Sequence, residues 1–448
     1  FSRASGGTAL SKISYGNDLV TNGTFDSDSG WTLNNSVISN GVVSANNGTR
    51  FLAQDAGLVT GTSYKVTFDY TQGNTHNTGS IRVNTNAFNG AGTQHNSSNF
   101  YNMDSSGSLT FIIVAEDSYI AIEAAFAPFS GTIDNISVKE VLLDQADGTL
   151  QLYNYPNNIP RIEYDATGAV KGLLIEEART NLMTYSNDFT HSVWLKSLVS
   201  NTANAGVSPD GTSNANKVVP ATDAGVHYTY QTLILPNADY SFSVYVASSG
   251  YGFATICAGT HGSLNYYAVV IDLSDGTQTA LYSQGTHSKT VTVEPVGSYY
   301  RVTISGDGEK YYVVGASDTG TYTPSPYGFK SFSGDGTSGI LVYGAQTEAG
   351  AFPTSYIPTT GAPATRAKDV ASIPVSDFGY NNDAGSLVID VLTPVVDQFM
   401  TLAYFNTNSY FNSRGFVKAN TGTSSSGNHY INATYDGASI KIQLGTQT

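Results

Sequence analysis

The chain contains few cysteine, tryptophan, methionine and charged residues. It has one cysteine, two tryptophans and three methionines, and only 12% of its 448 residues are charged, about half of the roughly 25% usual for soluble domains. A single cysteine cannot form an internal disulfide, so the fold cannot depend on one. Cys257 stands in the apolar run 253–258. We interpret it as a small buried side chain in a strand, because nothing electropositive adjoins it that would activate a thiol.

Basic residues are scarce as well. Twenty Lys and Arg against 35 Asp and Glu give a formal net charge of −15. Binding to nucleic-acid phosphates or to anionic membrane surfaces depends on clustered positive charge, so the composition argues against both partners. No run of about 18 apolar residues occurs that could insert into a membrane. The acidity fits solubility, a calcium site or a neutral polar partner such as a glycan.

Charged residues that favour helices are few, whereas Gly, Tyr, Ser, Thr and Asn, which suit strands and turns, are abundant. Apolar residues recur at every second position in residues 64–70, 240–246 and 289–293. Asp-Gly turn signals punctuate the chain. These patterns predict an all-β protein built of tandem antiparallel β-sandwiches. The best short helical candidate is residues 176–183.

Two segments repeat one plan. In each, a Phe precedes a Trp by six or five residues, a turn then leads into a strand, and a strand that begins with Ile closes the segment. The corresponding residues are 22–31, 61–64 and 133–140 in the first segment and 185–194, 235–240 and 340–348 in the second. The repetition predicts two related sandwiches. It also favours core or scaffold roles for Trp31 and Trp194.

These patterns divide the chain into six parts. We expect an N-terminal segment (1–16), a jelly-roll-like sandwich (17–141), a connector (142–184), a second jelly-roll-like sandwich (185–350), a linker (351–368) and a third β domain (369–448). The last part is shorter than a large sandwich requires, so it is either a small domain or an incomplete one.

Six short motifs resemble a module of tail-fibre and other virion structural proteins of tailed bacteriophages. They are residues 1–5 (FSRAS), 160–165 (PRIEYD), 172–182 (GLLIEEARTNL), 343–348 (YGAQTE), 354–361 (TSYIPTTG) and 365–366 (TR). In that module the first motif lies a short distance before the second. Here residues 17–141 separate them, which indicates an inserted domain. We also expect further module residues upstream of Phe1.

Two other segments resemble known sandwich domains. Residues 22–25 (NGTF) and 133–136 (IDNI) give the inserted domain a resemblance to jelly-roll carbohydrate-binding modules. Residues 366–448 resemble the opening of a concanavalin/laminin-G-like sandwich, which would run further than this chain does.

The resemblance implies a non-catalytic fibre or appendage protein of a phage virion, assembled in the host cytoplasm. It would bind host-surface glycans multivalently, contact other virion proteins and form a homo-oligomer, with a trimer favoured. Three alternatives stay open. They are a purely structural virion component without a glycan ligand (decoration, collar or head fibre), a capsule polysaccharide depolymerase, and a secreted cellular carbohydrate-binding protein.

Two aromatic pairs are the candidate glycan-binding residues: Phe100 with Tyr101, and Tyr266 with Tyr267. Each pair adjoins asparagines, and sugars bind to flat aromatic faces beside such hydrogen-bonding groups. Adjacent residues of a strand point to opposite faces, so one ring of each pair should face outward. Packing against a neighbouring domain or subunit is the alternative.

No cofactor is expected, and a structural calcium is the one candidate metal. Residues 26–30 (DSDSG) offer the oxygen ligands that calcium prefers. The resemblance to jelly-roll binding modules implies Asp26 and Asp134 as ligands. Ordinary roles in a turn and at a strand end are the alternative.

No catalytic residues are predicted. Glu176 and Glu177 are adjacent, a poor arrangement for the paired carboxylates of a glycosidase, so we expect structural contacts, with Arg179 among their partners. The seven histidines show no metal-ligand spacing. Residues 306–310 (GDGEK) are interpreted as a hairpin turn.

Overall fold

A computed structural model of the chain describes residues 1–48, 50–72, 80–85, 101–102, 106–124, 129–236, 238–260, 265–325, 328–372 and 377, together with five later strands. It divides into two compact units, Phe1–Ala371 and Ser372–Thr448. Throughout these residues the protein is all-β, and every strand-to-strand pairing is antiparallel. The same residues contain no helix long and apolar enough to cross a membrane.

The first sandwich holds twelve strands: β1 (Gly7–Asp18), β2 (Thr32–Leu33), β3 (Ser36–Ser39), β4 (Val42–Gly48), β5 (Arg50–Asp55), β6 (Ser63–Gln72), β7 (Ser80–Asn84), β8 (Tyr101–Asn102), β9 (Gly107–Val114), β10 (Tyr119–Ala124), β11 (Phe129–Leu143) and β12 (Thr149–Tyr155). One sheet runs β12-β1-β11-β4-β3, with β6 on β11 and β9 on β6, and the other runs β2-β5-β10-β7-β8. Alternate residues of β6, Tyr64, Val66 and Phe68, are buried in the core between the sheets, as their period of two predicts.

Short strand pairs follow this sandwich: β13 (Ile162–Tyr164) pairs with β14 (Val170–Leu173), and β15 (Arg179–Asn181) pairs with β30 (Ala364–Arg366). Residues 179–181 form a strand and no helix forms over residues 176–183, so the helical candidate at this position was wrong. The Glu176 amide donates to Asp369 and the Asn181 side chain donates to the Ile357 carbonyl, so contacts with distant residues, and not local helix propensity, decide the conformation.

The second sandwich comprises fourteen strands: β16 (Leu195–Ser197), β17 (Val199–Gly206), β18 (Ala215–Pro220), β19 (Ala224–Val226), β20 (Tyr228–Thr232), β21 (Asp239–Ser249), β22 (Phe253–Thr260), β23 (Asn265–Asp272), β24 (Gln278–Gln284), β25 (Lys289–Val296), β26 (Tyr299–Asp307), β27 (Tyr311–Ser317), β28 (Ser331–Ser333) and β29 (Gly339–Ala349). We call its two large sheets F and G. Sheet F has the strand order β16-β20-β27-β22-β23-β24 and sheet G the order β17-β18-β29-β21-β26-β25, while β19 pairs with β28. Because β26 belongs to sheet G and β27 to sheet F, residues 306–310 cross between the sheets. The predicted hairpin turn was wrong there.

The two sandwiches share one strand order. The path β3-β4-β11-β6-β9 of the first corresponds to β17-β18-β29-β21-β26 of the second, and β2-β5-β10-β7-β8 corresponds to β16-β20-β27-β22-β23. Each strand keeps its place in both sequence order and sheet order. The related plans that the sequence repetition predicted are confirmed at the level of topology.

The loop before each tryptophan is also built alike. The indole Nε1 of Trp31 donates to the carbonyl of Asn22 at 3.0 Å, and that of Trp194 donates to the carbonyl of Tyr185 at 2.9 Å. Asn22 and Tyr185 both adopt positive φ, 55° and 49°. Trp31 is 8% exposed and Trp194 is 1% exposed. The predicted scaffold role of both tryptophans is confirmed.

The C-terminal unit contains five described strands: β31 (Phe399–Thr401), β32 (Tyr404–Phe405), β33 (Arg414–Asn420), β34 (Asn428–Tyr435) and β35 (Ala438–Thr446). They form one antiparallel sheet in the order β31-β33-β34-β35, with β32 also on β33. The all-β prediction holds for this sheet. Its assignment to a concanavalin/laminin-G-like sandwich remains a prediction.

Candidate functional site

One outer face of the second sandwich is covered by the rest of the unit. On sheet G, Tyr245, Tyr299 and Tyr343 pack with Leu152 of β12 and with Tyr356 in a small apolar cluster. The hydroxyl of Tyr343 also donates to Asp210 Oδ2 at 2.9 Å. Sheet F carries the other outer face, and that face is where a ligand could bind.

Five tyrosines line this outer face of sheet F. We call Tyr228, Tyr230, Tyr266, Tyr282 and Tyr311 the tyrosine face; they form or adjoin one apolar cluster. Strand register explains the arrangement. Across the sheet, Tyr230 pairs with Val313, which pairs with Cys257, then Ala268, then Tyr282.

The centre of the tyrosine face is a shallow depression, because the side chains there are smaller than the surrounding tyrosines. Cys257 and Ala268 lie there with Gly259, which pairs with Tyr311 on one side and with Tyr266 on the other. Cys257 is 1% exposed, and burial raises the pKa of its thiol. The interpretation of this cysteine as a buried, unreactive side chain is confirmed.

A segment after β27 crosses part of this surface. Phe329 packs into the cluster of the tyrosine face. The hydroxyl of Tyr322 hydrogen-bonds to Thr255 Oγ1 at 2.9 Å, and the Tyr322 amide donates to the hydroxyl of Tyr282 at 2.7 Å. Gly328 has a φ of +77°, and a Cβ there would lie 2.5 Å from the Cβ of Ala268. Only glycine lets the segment approach the sheet this closely.

Tyr230 and Tyr311 form the accessible end of the tyrosine face. Both are half-buried, and their ring centroids lie 5.6 Å apart with the planes inclined by 44°. Exposed Thr232 and Gln284 occupy the strand positions level with Tyr311 and Tyr266. Adjacent aromatic rings bordered by hydroxyl and amide groups can bind a sugar, since sugars present C–H patches and hydroxyl edges.

Tyr101 belongs to β8 and the Tyr266–Tyr267 pair to β23, and these two strands correspond in the two sandwiches. Tyr266 faces the tyrosine face but is only 7% exposed. Tyr267 points the opposite way and packs against the inner core, with its ring edge toward His287. Phe100 lies outside the described residues, and only the backbone is described for Tyr101. Direct glycan contact by these four residues stays a prediction. Tyr230 and Tyr311, which the sequence pattern did not single out, are more accessible than Tyr266.

The two predicted calcium ligands make local contacts. Exposed Asp26 accepts a hydrogen bond from the hydroxyl of Thr24 at 2.7 Å, and Asp134 accepts one from the amide of Asn135 at 2.7 Å. In the described part of the chain, neither belongs to a group of three or more metal-ligating side chains. A calcium site at Asp26 and Asp134 stays a prediction.

A buried ionic cluster brings together residues from both ends of the N-terminal unit, and we call Arg3, Arg161, Glu176, Arg366 and Asp369 the ionic joint. Asp369 accepts from Arg3 at 3.1 Å, from Arg161 at 2.5 Å and from the Glu176 amide at 2.8 Å. Glu176 pairs in turn with Arg161 at 2.8 Å and with Arg366 at 3.4 Å. The three arginines are at most 1% exposed. Burial therefore lowers the pKa of Arg366, because it disfavours the charged form.

All six motifs of the phage-module resemblance meet at or beside this joint. Three of them supply Arg3, Arg161 and Glu176, and the last supplies Arg366. Ser355 donates its amide to Glu176 at 2.7 Å, and neighbouring Thr354 donates its amide to Glu348 at 2.7 Å. The motifs therefore form the structural joint of the unit.

Strand pairing explains how the first two motifs come together. Strands β1 and β12 pair over seven positions, from Gly7 opposite Tyr155 to Ile13 opposite Thr149. This pairing returns the chain to its starting point after the first sandwich. The first two motifs consequently meet although residues 17–141 separate them in sequence.

The adjacent glutamates have separate partners. Glu176 belongs to the ionic joint, and Glu177 pairs with Arg179 at 2.6 Å. The predicted structural contacts, including the one with Arg179, are confirmed.

Buried tyrosines give stability a dependence on alkaline pH. Burial raises the pKa of Tyr155 from 10.0 to about 12, and it also raises the pKa values of Tyr299, Tyr343 and Tyr356. A raised pKa contributes stability that is complete below the unfolded value of 10.0 and is lost as the pH rises through the folded value. We expect unfolding to begin above pH 10. Tyrosinate absorbance and circular dichroism, followed together, should change in one transition for the buried rings; complete tyrosine ionisation near pH 10 with the fold retained would contradict this.

Comparisons with known proteins add little to this geometry. No protein-family model and no curated protein matches the chain. Among solved structures, the N-terminal CBM22-1-CBM22-2 tandem domain from Paenibacillus barcinonensis Xyn10C is similar at 8% identity, over 75% of this chain and 98% of that chain, with a TM-score of 0.23. A likeness at that TM-score carries no argument, and the all-β sandwich assignment rests on the strand topology.

Proposed function

We propose that this protein is a non-catalytic glycan-binding protein and that the tyrosine face of its second sandwich is the binding surface. The paired rings of Tyr230 and Tyr311 carry the proposal. They are half-buried and 5.6 Å apart. Both rings pack against neighbouring side chains of sheet F, so they would lose little conformational freedom when a sugar binds.

The chemistry of this surface suits a neutral ligand. Tyrosine, threonine and glutamine side chains border it, and the chain as a whole carries a net charge of −15. Stacking on the rings would bind the C–H patch of a pyranose, and the polar neighbours would bind its hydroxyls. A single such contact is weak, so useful affinity would come from several copies acting together.

The biological setting that we propose is a virion appendage of a tailed bacteriophage, assembled in the host cytoplasm as a homo-oligomer, with a trimer favoured. The convergence of all six resemblance motifs on the ionic joint supports this, because segments of a single module are expected to meet in one folded unit. The host-surface glycan would be the ligand and other virion proteins the attachment partners. Electron microscopy of particles with the protein immunolabelled tests this setting, and label found only on cellular material would contradict it.

Tyrosine replacements test the binding surface. Tyr230→Ala and Tyr311→Ala should each weaken binding to host polysaccharide about tenfold, since removing an aromatic contact typically costs more than about 1 kcal/mol. Tyr119→Ala, at a half-buried position of β10 in the first sandwich, is the matched control and should bind as the original protein does. Surface plasmon resonance on immobilised polysaccharide gives the affinities.

Two results would contradict the proposal in different ways. Equal binding by the Tyr230→Ala, Tyr311→Ala and control proteins would place the ligand elsewhere. Release of reducing sugar from the polysaccharide would contradict the non-catalytic part and favour a depolymerase.

A further inference from the structure

One histidine and two carboxylates lie together at an edge of the second sandwich. His287 precedes β25, Asp307 ends β26, and Glu309 lies on the crossing from sheet G to sheet F. Antiparallel register places Lys289 opposite Gly306, which brings these three side chains together from distant sequence positions. Among the described residues, they are the one group of three whose ligand atoms all lie within 4.8 Å of one another.

The distances match those between ligands of a small metal ion. His287 Nδ1 lies 3.5 Å from Glu309 Oε1 and 3.8 Å from Asp307 Oδ2. Tetrahedral zinc with bonds of about 2.0–2.1 Å separates its ligand atoms by about 3.4 Å. The three atoms could therefore converge on one ion with small side-chain movements.

The histidine is oriented as a metal ligand. Its Nε2 lies 2.8 Å from the carbonyl of Gln284, which can only accept, so Nε2 carries the hydrogen. In the neutral ring, Nδ1 then directs a lone pair toward the carboxylates. The side chain is 3% exposed, and Nδ1 has no hydrogen-bond partner. A buried acceptor that faces two carboxylates is unfavourable, and a bound cation would give its lone pair a partner.

A second contact orients one of the carboxylates. The Ser288 amide donates to Asp307 Oδ1 at 2.9 Å, which leaves Oδ2 directed toward His287. In protein metal sites, a ligand side chain typically forms a hydrogen bond through the atom that does not bind the metal.

Lys289 supplies a competing positive charge. Its ammonium lies 3.2 Å from Asp307 Oδ2 and 3.4 Å from Glu309 Oε1, and its side chain is 1% exposed. The ammonium balances part of the carboxylate charge without a metal, and it would repel a divalent ion bound to the same oxygens.

We propose that His287, Asp307 and Glu309 bind one divalent ion of the zinc class, in competition with the Lys289 ammonium. The bound ion would fasten the β25–β26 edge of sheet G to the crossing that leads into β27 of sheet F. The proposal is independent of glycan binding at the tyrosine face.

Cobalt is the probe, because tetrahedral Co²⁺ absorbs in the visible range. After dialysis against a chelator, the full chain is titrated with CoCl₂ and then with ZnCl₂. We expect a visible band that saturates at one ion per chain, is displaced by Zn²⁺ and is absent from His287→Gln. His191→Gln, at a described histidine outside the cluster, is the matched control and should retain the band.

Lys289→Met gives the sharper result. It keeps the apolar stem and removes the ammonium, so Co²⁺ and Zn²⁺ should bind about tenfold or more tightly. In chelator, the Lys289→Met variant should unfold at a lower temperature than the original protein. Addition of Zn²⁺ should raise its unfolding temperature again. Absence of the band from both the original protein and Lys289→Met, or a band of equal strength in His287→Gln, would overturn the proposal.

Discussion

Asp369→Asn should destabilise the N-terminal unit by about 3–5 kcal/mol, the usual effect of removing one partner from a buried ion pair. Asp369 is fully buried and lies within 4 Å of three arginines. Asparagine keeps the size of the side chain but removes its charge. Arg3 would then lose the carboxylate that it pairs with, and the Glu176 carboxylate alone would pair with Arg161 and Arg366.

Urea unfolding followed by circular dichroism measures the change. Asp318→Asn is the matched control, because its pair with Lys330 at 2.6 Å lies at the surface and should contribute less than about 1 kcal/mol. Equal stability of Asp369→Asn and Asp318→Asn would show that the ionic joint does not hold the unit together.

Trp194→Ala should destabilise the second sandwich by about 3–5 kcal/mol, as large-to-small core replacements of aromatic residues do. The ring of Trp194 stacks on Phe189 at 4.2 Å, and its Nε1 bonds to the carbonyl of Tyr185. The replacement would leave a cavity, and the Tyr185 carbonyl would keep only the hydrogen bond from the Asp188 amide at 3.1 Å.

Its neighbour in sequence provides the control. Leu195 is 47% exposed, so Leu195→Ala should change stability by less than about 0.5 kcal/mol. Trp194→Phe, which keeps an aromatic ring but loses the Nε1 donor, should fall between the two in the same urea titration. A Trp194→Ala protein as stable as Leu195→Ala would contradict the scaffold role.

Local sequence patterns were enough to predict the fold class and the repeated sandwich plan. Alternation in residues 64–70 describes β6 because one face of that strand is buried. The Phe-to-Trp spacing identified the two corresponding loops, since each indole bonds back within its own loop. These features depend on neighbours in sequence, and a single sequence displays them directly.

The ionic joint could not be predicted from spacing. Arg3 and Asp369 are separated by almost the whole N-terminal unit, and no local pattern relates them. The resemblance motifs marked every segment of the joint except Asp369, but they did not show that the segments meet. Spacing could not predict the cluster of His287, Asp307 and Glu309 either, because only the register of β25 with β26 brings these residues together.

The candidate binding surface was predicted in part. The Tyr266–Tyr267 pair identified β23, yet a segment after β27 packs over the same face through Phe329. The signal for Tyr230 was present in the sequence as alternation with Tyr228 on β20. Nothing in that alternation showed which face of the strand would remain accessible.

Glycan-array binding by the intact protein measures directly whether the tyrosine face recognises a glycan. We expect the protein to bind a defined set of neutral glycans, and we expect the Tyr230→Ala/Tyr311→Ala double variant, with an unchanged circular dichroism spectrum, to lose that binding. No binding by the intact protein to any glycan, including host-surface polysaccharide, or undiminished binding by the folded double variant, would contradict it.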